Sequence, residues 1–246
     1  MILRQFLHAD PVAASYLFGC GGRAMAAVVD PVGDIAPYLQ VAERTGMRIH
    51  YVFDTHLHAD HVSAGRELAQ ASGAEYVLFA EADVTYPFRG VRDGNVLELG
   101  NVSVEILHTP GHTPEHISLL VTDQTRTEEP WFVLTGHTLM VGDLGRTELA
   151  TNAEEGARAL FSSVQKLKAL PDHLEVLPGA YSGSVCGRSL SGKPTSTIGF
   201  ERRHNRAFAT DDVVDFVRLI LAEIPPSPPE AAAVRALNAG RAKDYA

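Results

Sequence analysis

The sequence is poor in cysteine and in long apolar runs, and each scarcity excludes a class of protein. Its 246 residues include two cysteines, Cys20 and Cys186, which are too few for the disulfide framework of a small secreted domain. No uninterrupted apolar run approaches the roughly 20 residues that a helix needs to cross a bilayer, and the first residues lack the basic segment and apolar core of a signal peptide. We therefore expect a protein of the reducing cytoplasm that does not enter a membrane.

Positive charge is also scarce, with 21 lysines and arginines against 30 acidic residues and a net charge of -9. An acidic surface repels a phosphate backbone, so nucleic acid is disfavoured as a partner. Hydrophobic residues make up 45% of the chain and charged residues 21%, which is ordinary for a folded globular protein. The length predicts one large domain, or a domain with a small appendage.

Hydrophobic patterning predicts a layered α/β fold. Short β-branched and aromatic segments alternate with turn residues in the first 30 residues and again over residues 75–136. Helical spacing is clearest over residues 153–170 and 211–224, and the Ala-rich segment from about residue 229 is predicted to be helical. Strands in two sectors, with helices between and after them, are typical of mixed sheets covered by helices.

Histidine is the residue type that is concentrated. Seven of the 11 histidines lie within residues 56–137, and a neutral imidazole is the commonest metal ligand. The densest motif is H-x-H-x-D-H, formed by His56, His58, Asp60 and His61 just after a predicted buried strand. Two residues apart on an extended chain, His56 and His58 point to the same side, and the following turn can return Asp60 and His61 to the same point. The motif predicts a metal site at the end of this strand.

Two further histidines stand where a rigid loop can present a ligand. His112 follows a Pro-Gly pair that fixes a tight turn after a predicted strand. His137 follows Gly136 at the end of another predicted strand, which is a typical position for a metal ligand. His108 and His116 lie at strand ends, and we expect them to be structural.

Four segments carry a resemblance to a known family: THLHADHVSAG, HTPGHTPEH, VGDLGRTEL and STIGFERRHN. They resemble the metallo-β-lactamase superfamily, and within it most closely the persulfide dioxygenase branch, also called the sulfur dioxygenases. The resemblance extends to about residue 210. It implies a four-layer αββα sandwich, with a catalytic domain over residues 1–210 and a C-terminal helical extension over residues 211–246 packed on the same domain.

The departures from the hydrolytic members of this superfamily decide the expected metal site. Those members hold two metals with the whole H-x-H-x-D-H motif, the histidine of T-P-G-H, a bridging aspartate after T-G and a late histidine. Here His137 replaces the bridging aspartate, and Ala180 stands where the late histidine is expected. A two-metal hydrolase is therefore disfavoured. The resemblance implies one Fe(II) per chain on His56, His112 and His137, with zinc as the alternative metal. The alternative interpretation is that the exchange of aspartate for histidine at residue 137 destroys the metal site.

The resemblance also assigns roles around the metal. His58, Asp60 and His61 would orient the ligands or line the pocket, and Asp54 would be a similar outer group. Arg146 and Arg202 match arginines that contact the glutathione carboxylates in glutathione-persulfide members, and a guanidinium suits a carboxylate because it donates two parallel hydrogen bonds. For Cys186, which lies in a segment this branch often has, and for Cys20 we expect buried structural thiols.

The leading hypothesis for function is oxidation of a low-molecular-weight persulfide, such as glutathione persulfide, with O2 to sulfite and thiol by an iron-dependent oxidoreductase. The first alternative is a zinc thioester hydrolase of the glyoxalase II type, in which the metal activates a water. The second is a non-catalytic relative that binds a thiol. The sequence leaves the oligomeric state open, and a homodimer is compatible with it.

Overall fold

Two six-stranded sheets form the centre of the structure, a computed structural model that describes residues 1–222, 224 and 226–241. In the first sheet, neighbouring strands follow the order of the chain: β1 (Ile2–Ala9), β2 (Val12–Cys20), β3 (Met25–Val29), β4 (Arg48–Phe53), β5 (Glu75–Phe79) and β6 (Arg89–Val91). The first three strands are antiparallel, and β3 to β6 run parallel to one another.

The second sheet has the order β14-β13-β10-β9-β8-β7. Its strands are β7 (Val96–Leu99), β8 (Val102–His108), β9 (Ile117–Asp123), β10 (Phe132–Gly136), β13 (Glu175–Pro178) and β14 (Ser196–Thr197). A short ribbon of β11 (Leu139–Met140) and β12 (Asp143–Leu144) follows β10 in the chain. The inner faces of the two sheets bury the largest apolar cluster, in which Phe18 of β2 meets Phe132 of β10 edge to face at 5.8 Å between ring centroids.

Helices cover the outer face of each sheet. Against the first sheet pack α1 (Ala36–Arg44) and α2 (Gly65–Ser72), which bury Tyr38 and Leu68. Against the second pack α3 (Ala153–Lys168), α4 (Ile198–His204), α5 (Arg206–Ala209) and α6 (Val213–Ala222). The order of layers is thus helix, sheet, sheet, helix, and the predicted four-layer αββα sandwich is confirmed.

Helix α3 illustrates how the sequence sets these elements. The Asn152 side chain accepts hydrogen bonds from the backbone amides of Glu154 and Glu155 and so caps the first turn. Acidic residues in that turn and lysines in the last turn complement the helix dipole. The buried face carries Leu160, Val164 and Leu167, as the spacing predicts.

The predicted C-terminal extension contributes α6, which packs against α3, and α7 (Ala231–Asn238), which reaches the histidine motif. A boundary at residue 210 stays a prediction. None of the described helices is both long and apolar enough to cross a membrane.

Candidate metal centre

Three loops, each at the carboxyl end of a strand, supply the histidines. The loop after β4 carries His56, the loop after β8 carries His112, and His137 directly follows β10. One ring nitrogen from each of the three lies within 4.8 Å of the others, and all three side chains are buried. The structure therefore brings together the three residues that the resemblance implies as ligands.

Neighbouring groups fix which ring nitrogens face the centre. The Thr55 hydroxyl donates to Asp30 at 2.9 Å, so it accepts from His56 Nδ1, also at 2.9 Å. His56 Nε2 is then unprotonated, and it is buried with no hydrogen-bond partner in the described part of the chain. His112 Nδ1 donates to the Arg146 carbonyl at 2.7 Å and leaves its Nε2 3.3 Å from Nδ1 of His137.

These atoms fit a divalent ion. Two imidazole nitrogens bound to the same ion at about 2.1 Å lie roughly 3.0–3.4 Å apart, and the separation between His112 and His137 is 3.3 Å. A metal also explains why a lone pair of His56 is buried without a donor, since unpaired buried polar atoms are otherwise costly. The donor set of neutral imidazoles suits iron or zinc.

The electrostatics keep the three imidazoles in the form that binds metals. Burial lowers the pKa of His112 to about 3 and that of His137 to about 4. Burial, reinforced by the neighbouring imidazoles, holds the pKa of His56 well below its ordinary value. All three are thus neutral at neutral pH.

His116 positions His137 through a hydrogen bond to its backbone. Its Nε2 accepts the backbone N–H of His137 at 3.1 Å, and its Nδ1 lies 3.0 Å from the hydroxyls of Thr109 and Thr138. Gly136 is required here, because its φ is +48° and a Cβ would come within 2.6 Å of His116 Nε2. His116 thus has the structural position predicted for it, and it also orients a candidate ligand.

His58 belongs to a neighbouring group instead of the three-histidine cluster. Its Nε2 lies 3.2 Å from Oδ1 of Asp30, a buried residue that also accepts the Thr55 amide at 2.7 Å. Burial opposes a charge on His58, but Asp30, Asp54 and Asp60 outweigh it and hold the pKa of His58 well above its ordinary value. Asp30 has a φ of +48°, a strained conformation for a non-glycine residue.

Sequence reasoning missed Asp30. Its one signal is a polar residue directly after the buried strand β3, the same signal that pointed to His137 after β10.

Asp60 and His61 lie on the side of the cluster nearer the surface. Asp60 Oδ2 is 4.0 Å from His137 Nε2, and Asp60 Oδ1 is 3.2 Å from His61 Nδ1. Neither carboxylate oxygen of Asp60 and neither ring nitrogen of His61 has a hydrogen-bond partner in the described part of the chain. Burial opposes ionisation, but His61 and His137 hold the pKa of Asp60 well below its usual range. Cys186 is buried as predicted, and its sulfur lies close to Asp60 and His137.

Helix α7 holds the histidine motif in place by hydrogen bonds, which the sequence analysis did not predict. The Asn238 amide donates to the carbonyls of His58 and His61, both at 2.8 Å, and accepts the Ser63 amide at 2.9 Å. Arg235 donates to the Leu57 carbonyl at 2.8 Å.

The same motif is held from the other side by Glu115. This buried carboxylate accepts the Leu57 amide at 2.9 Å and pairs with Arg235 at 3.1 and 3.2 Å. Glu115, 58 positions after Leu57, and Arg235, 178 positions after it, thus set the conformation of the motif, and no local pattern signals such contacts.

The two predicted substrate arginines are engaged elsewhere. The Arg146 side chain pairs with Glu148 and donates to the Val185 carbonyl at 3.1 Å. The backbone carbonyl of Arg146 accepts from His112 Nδ1 and so orients that ring. Arg202 lies against the C-terminal end of α3, where it donates to the carbonyls of Lys168 and Leu170 and pairs with Asp172. The carbonyls at a helix end attract a guanidinium, and these contacts place Arg202 at the end of α3. Its role in substrate binding stays a prediction.

A cavity of about 240 Å³ opens between the turn joining β1 to β2 and residues 183–185. Asp60 lines it and so connects it to the histidine cluster, while Asp10 and Glu230 add acidic side chains. Asp60 therefore lies between this cavity and His137.

Residues 11–179 match the model of the family described as Metallo-beta-lactamase superfamily. The chain is 28% identical over 212 residues to the mitochondrial persulfide dioxygenase ETHE1 of Homo sapiens, a match that covers 83% of this chain and 75% of the relative. It is 31% identical over 166 residues to a hydroxyacylglutathione hydrolase of Rhodospirillum rubrum, covering 67% and 60%.

The crystal structure of a metallo-beta-lactamase from Staphylococcus aureus subsp. aureus COL superposes on the whole chain. Its TM-score is 0.93 at 33% identity, and the match covers 100% of this chain and 74% of that one. These similarities support the resemblance to the persulfide dioxygenase branch, and they place hydroxyacylglutathione hydrolases at a comparable distance.

Proposed function

Because the chain belongs to the metallo-beta-lactamase superfamily, we propose that it is an iron-dependent persulfide dioxygenase that oxidises a low-molecular-weight persulfide, such as glutathione persulfide, with O2. The observation that carries the proposal is the buried cluster of His56, His112 and His137. His137 stands where the hydrolases place a carboxylate, and the resemblance to persulfide dioxygenases, at 28% identity to the human enzyme, supports the same reading.

The overall reaction balances without a further oxidant. One persulfide, one O2 and one water give one thiol, one sulfite and two protons. The terminal sulfur is oxidised, O2 is reduced, and the bond between the two sulfur atoms breaks. Fe(II), when bound, supplies the redox centre and leaves coordination positions open for small ligands.

The protein would hold the metal and keep its surroundings fixed. His56, His112 and His137 present neutral imidazoles, because burial lowers the pKa of each. The Thr55 hydroxyl and the Arg146 carbonyl fix two of the rings by hydrogen bonds to the nitrogens that face away from the centre. Such outer contacts commonly set ligand orientation and metal affinity. The burial of the cluster excludes bulk water from the reacting sulfur.

For His58, Asp60 and His61 we propose the roles that the resemblance implies. His58 is held by Asp30 outside the three-histidine cluster, so we propose that it orients the loop of His56. Asp60 both lines the cavity and lies 4.0 Å from His137. It is therefore the side chain of the motif placed to meet a ligand that enters.

Substrate recognition is proposed to take place at this cavity. Arg146 and Arg202 are occupied by acidic side chains and carbonyl groups, so we propose that Arg146 acts on the metal site through its carbonyl. We also propose a cytoplasmic location, because the sequence has only two cysteines.

Oxygen uptake tests the proposal. The iron-loaded protein is mixed with glutathione persulfide, and both O2 consumption and sulfite are measured. We expect one O2 consumed for each sulfite formed, and no sulfite under argon or with His56→Ala. Release of thiol from a glutathione thioester by the zinc-loaded protein under argon, without O2 uptake from persulfide in the iron-loaded form, would overturn the proposal.

The thioester hydrolase is the second candidate, and one observation favours it. Asp60 and His61, which belong to the second metal site of the hydrolases, are present, and their buried donor atoms have no hydrogen-bond partner in the described part of the chain. The hydrolase of Rhodospirillum rubrum is also 31% identical over the matched residues. The same assay, run with zinc and a thioester, separates the two candidates.

A further inference from the structure

An ion pair connects the two loops that carry His56 and His112. Glu115 lies three residues after His112. Its carboxylate accepts the backbone N–H of Leu57, the residue after His56, at 2.9 Å. Arg235 of α7 donates to the Leu57 carbonyl at 2.8 Å and to both carboxylate oxygens of Glu115. We propose that Glu115 and Arg235 act as one positioning unit that sets the spacing of these two histidines around a metal ion.

The contact between Glu115 and Leu57 continues a backbone contact between the same two segments. The Thr55 carbonyl accepts the N–H of Ile117 at 2.8 Å. Two residues after Thr55 and two residues before Ile117, the Leu57 N–H donates to the side chain of Glu115 instead of a backbone carbonyl. The segment that follows the second loop is thus bonded to the first loop both before and after His56.

These two hydrogen bonds set the direction of the His56 side chain. The Thr55 carbonyl belongs to the peptide group before His56, and the Leu57 N–H belongs to the peptide group after it. Because each peptide group is planar, holding both planes fixes the backbone dihedral angles of His56 and the direction of its Cβ. Glu115 therefore transmits the position of the His112 loop to the His56 ring.

Burial makes the two charges of the positioning unit depend on each other. The side chains of Glu115 and Arg235 are 5% and 22% exposed. The guanidinium contacts the carboxylate with two nitrogens, Nη1 at 3.1 Å from Oε1 and Nη2 at 3.2 Å from Oε2. Removing either partner leaves the other as a buried charge without compensation. Loss of either side chain should therefore disturb Leu57 to a similar degree.

Cobalt binding to the metal-free protein tests the proposal, because the visible absorption of Co(II) reports the coordination geometry and chelator competition gives the affinity. We expect Glu115→Gln and Arg235→Gln each to weaken Co(II) binding about 10- to 100-fold, the usual effect of losing a partner outside the ligand set, and to shift the visible bands. The double variant should bind Co(II) about as well as the weaker single variant, since fold-changes multiply only for independent residues.

Asp123→Asn is the matched control. Asp123 is also a buried carboxylate in an ion pair, with the N-terminal ammonium at 2.9 Å, but it lies at the end of β9 opposite to Ile117. This variant should lower the stability to urea and leave the Co(II) affinity and bands unchanged. Arg235→Lys keeps the charge with fewer donors and should recover part of the affinity that Arg235→Gln loses. Urea unfolding of every variant separates a folded protein of low affinity from an unfolded one.

The inference rests on the proposed metal site but not on the reaction, and the outcomes keep the two apart. Native Co(II) affinity and bands in both single variants, or fold-changes that multiply in the double variant, would overturn the positioning unit and leave the metal site standing. Co(II) binding that survives His56→Ala would overturn the metal site and the inference with it. Oxygen uptake tests the dioxygenase separately.

Discussion

Asn238 on α7 offers the sharpest test of how the fold holds the histidine motif. Replacing it by alanine removes three hydrogen bonds, two to the carbonyls of His58 and His61 and one from the Ser63 amide. Asn238 is 6% exposed, so water does not readily replace the lost partners. Each such bond contributes about 0.5–1.5 kcal/mol, and an unpaired buried group costs about 1–3 kcal/mol. We therefore expect Asn238→Ala to lose about 2–4 kcal/mol of unfolding free energy.

The loss should also reach the metal. Without the hydrogen bonds from Asn238, the motif must be ordered when the ion binds, which costs free energy. Each 1.4 kcal/mol or so of this ordering cost lowers the metal affinity about tenfold. Chelator competition against the iron- or zinc-loaded protein measures this directly, and urea unfolding measures the stability. The control is Asn152→Ala, which removes the cap of α3 and about 1 kcal/mol of stability. Equal losses of metal affinity in the two variants, or an unchanged affinity in Asn238→Ala, would refute the reasoning.

Three further outcomes are expected. His56→Ala should lose the iron, while His58→Ala should retain most of it at reduced activity; metal analysis that finds the reverse pattern would refute the assignment of ligands. Arg202→Ala should leave the Michaelis constant for glutathione persulfide within twofold of the native value, because its contacts are with α3; a tenfold rise would restore it as a substrate contact. Metal content after dialysis should stay constant from pH 8 to about pH 5 and fall as the pH drops through about 4. Burial lowers the pKa of His112 to about 3 and that of His137 to about 4, so protons compete with the metal only below those values. Metal loss that begins near pH 7 would contradict this prediction.

Local sequence pattern was enough to single out the three histidines that the structure brings together, while their role as ligands stays a prediction. His56, His112 and His137 each lie beyond the carboxyl end of a strand, and β4, β8 and β10 bring one ring nitrogen of each within 4.8 Å of the others. The helices over 153–170 and 211–224 were predictable for the same reason, since their buried faces repeat within the segment.

Contacts between distant segments could not be predicted in this way. Asn238 meets His58 across 180 positions, and Arg235 meets Glu115 across 120. For Arg202, a matching motif implies a role in substrate binding, which stays a prediction, and the packing of its face of α4 against the end of α3 was not predicted. Which neighbour a polar side chain meets depends on packing, and a single sequence does not encode that as a local pattern.

Diffraction from crystals of the iron-loaded protein at the iron absorption edge tests the central claim most directly. The anomalous map locates iron without reference to activity. We expect one peak bounded by the ring nitrogens of His56, His112 and His137, with His58 still bonded to Asp30. A peak coordinated by His56, His58 and His112, with His137 turned away, would contradict the account and favour the arrangement of a zinc hydrolase.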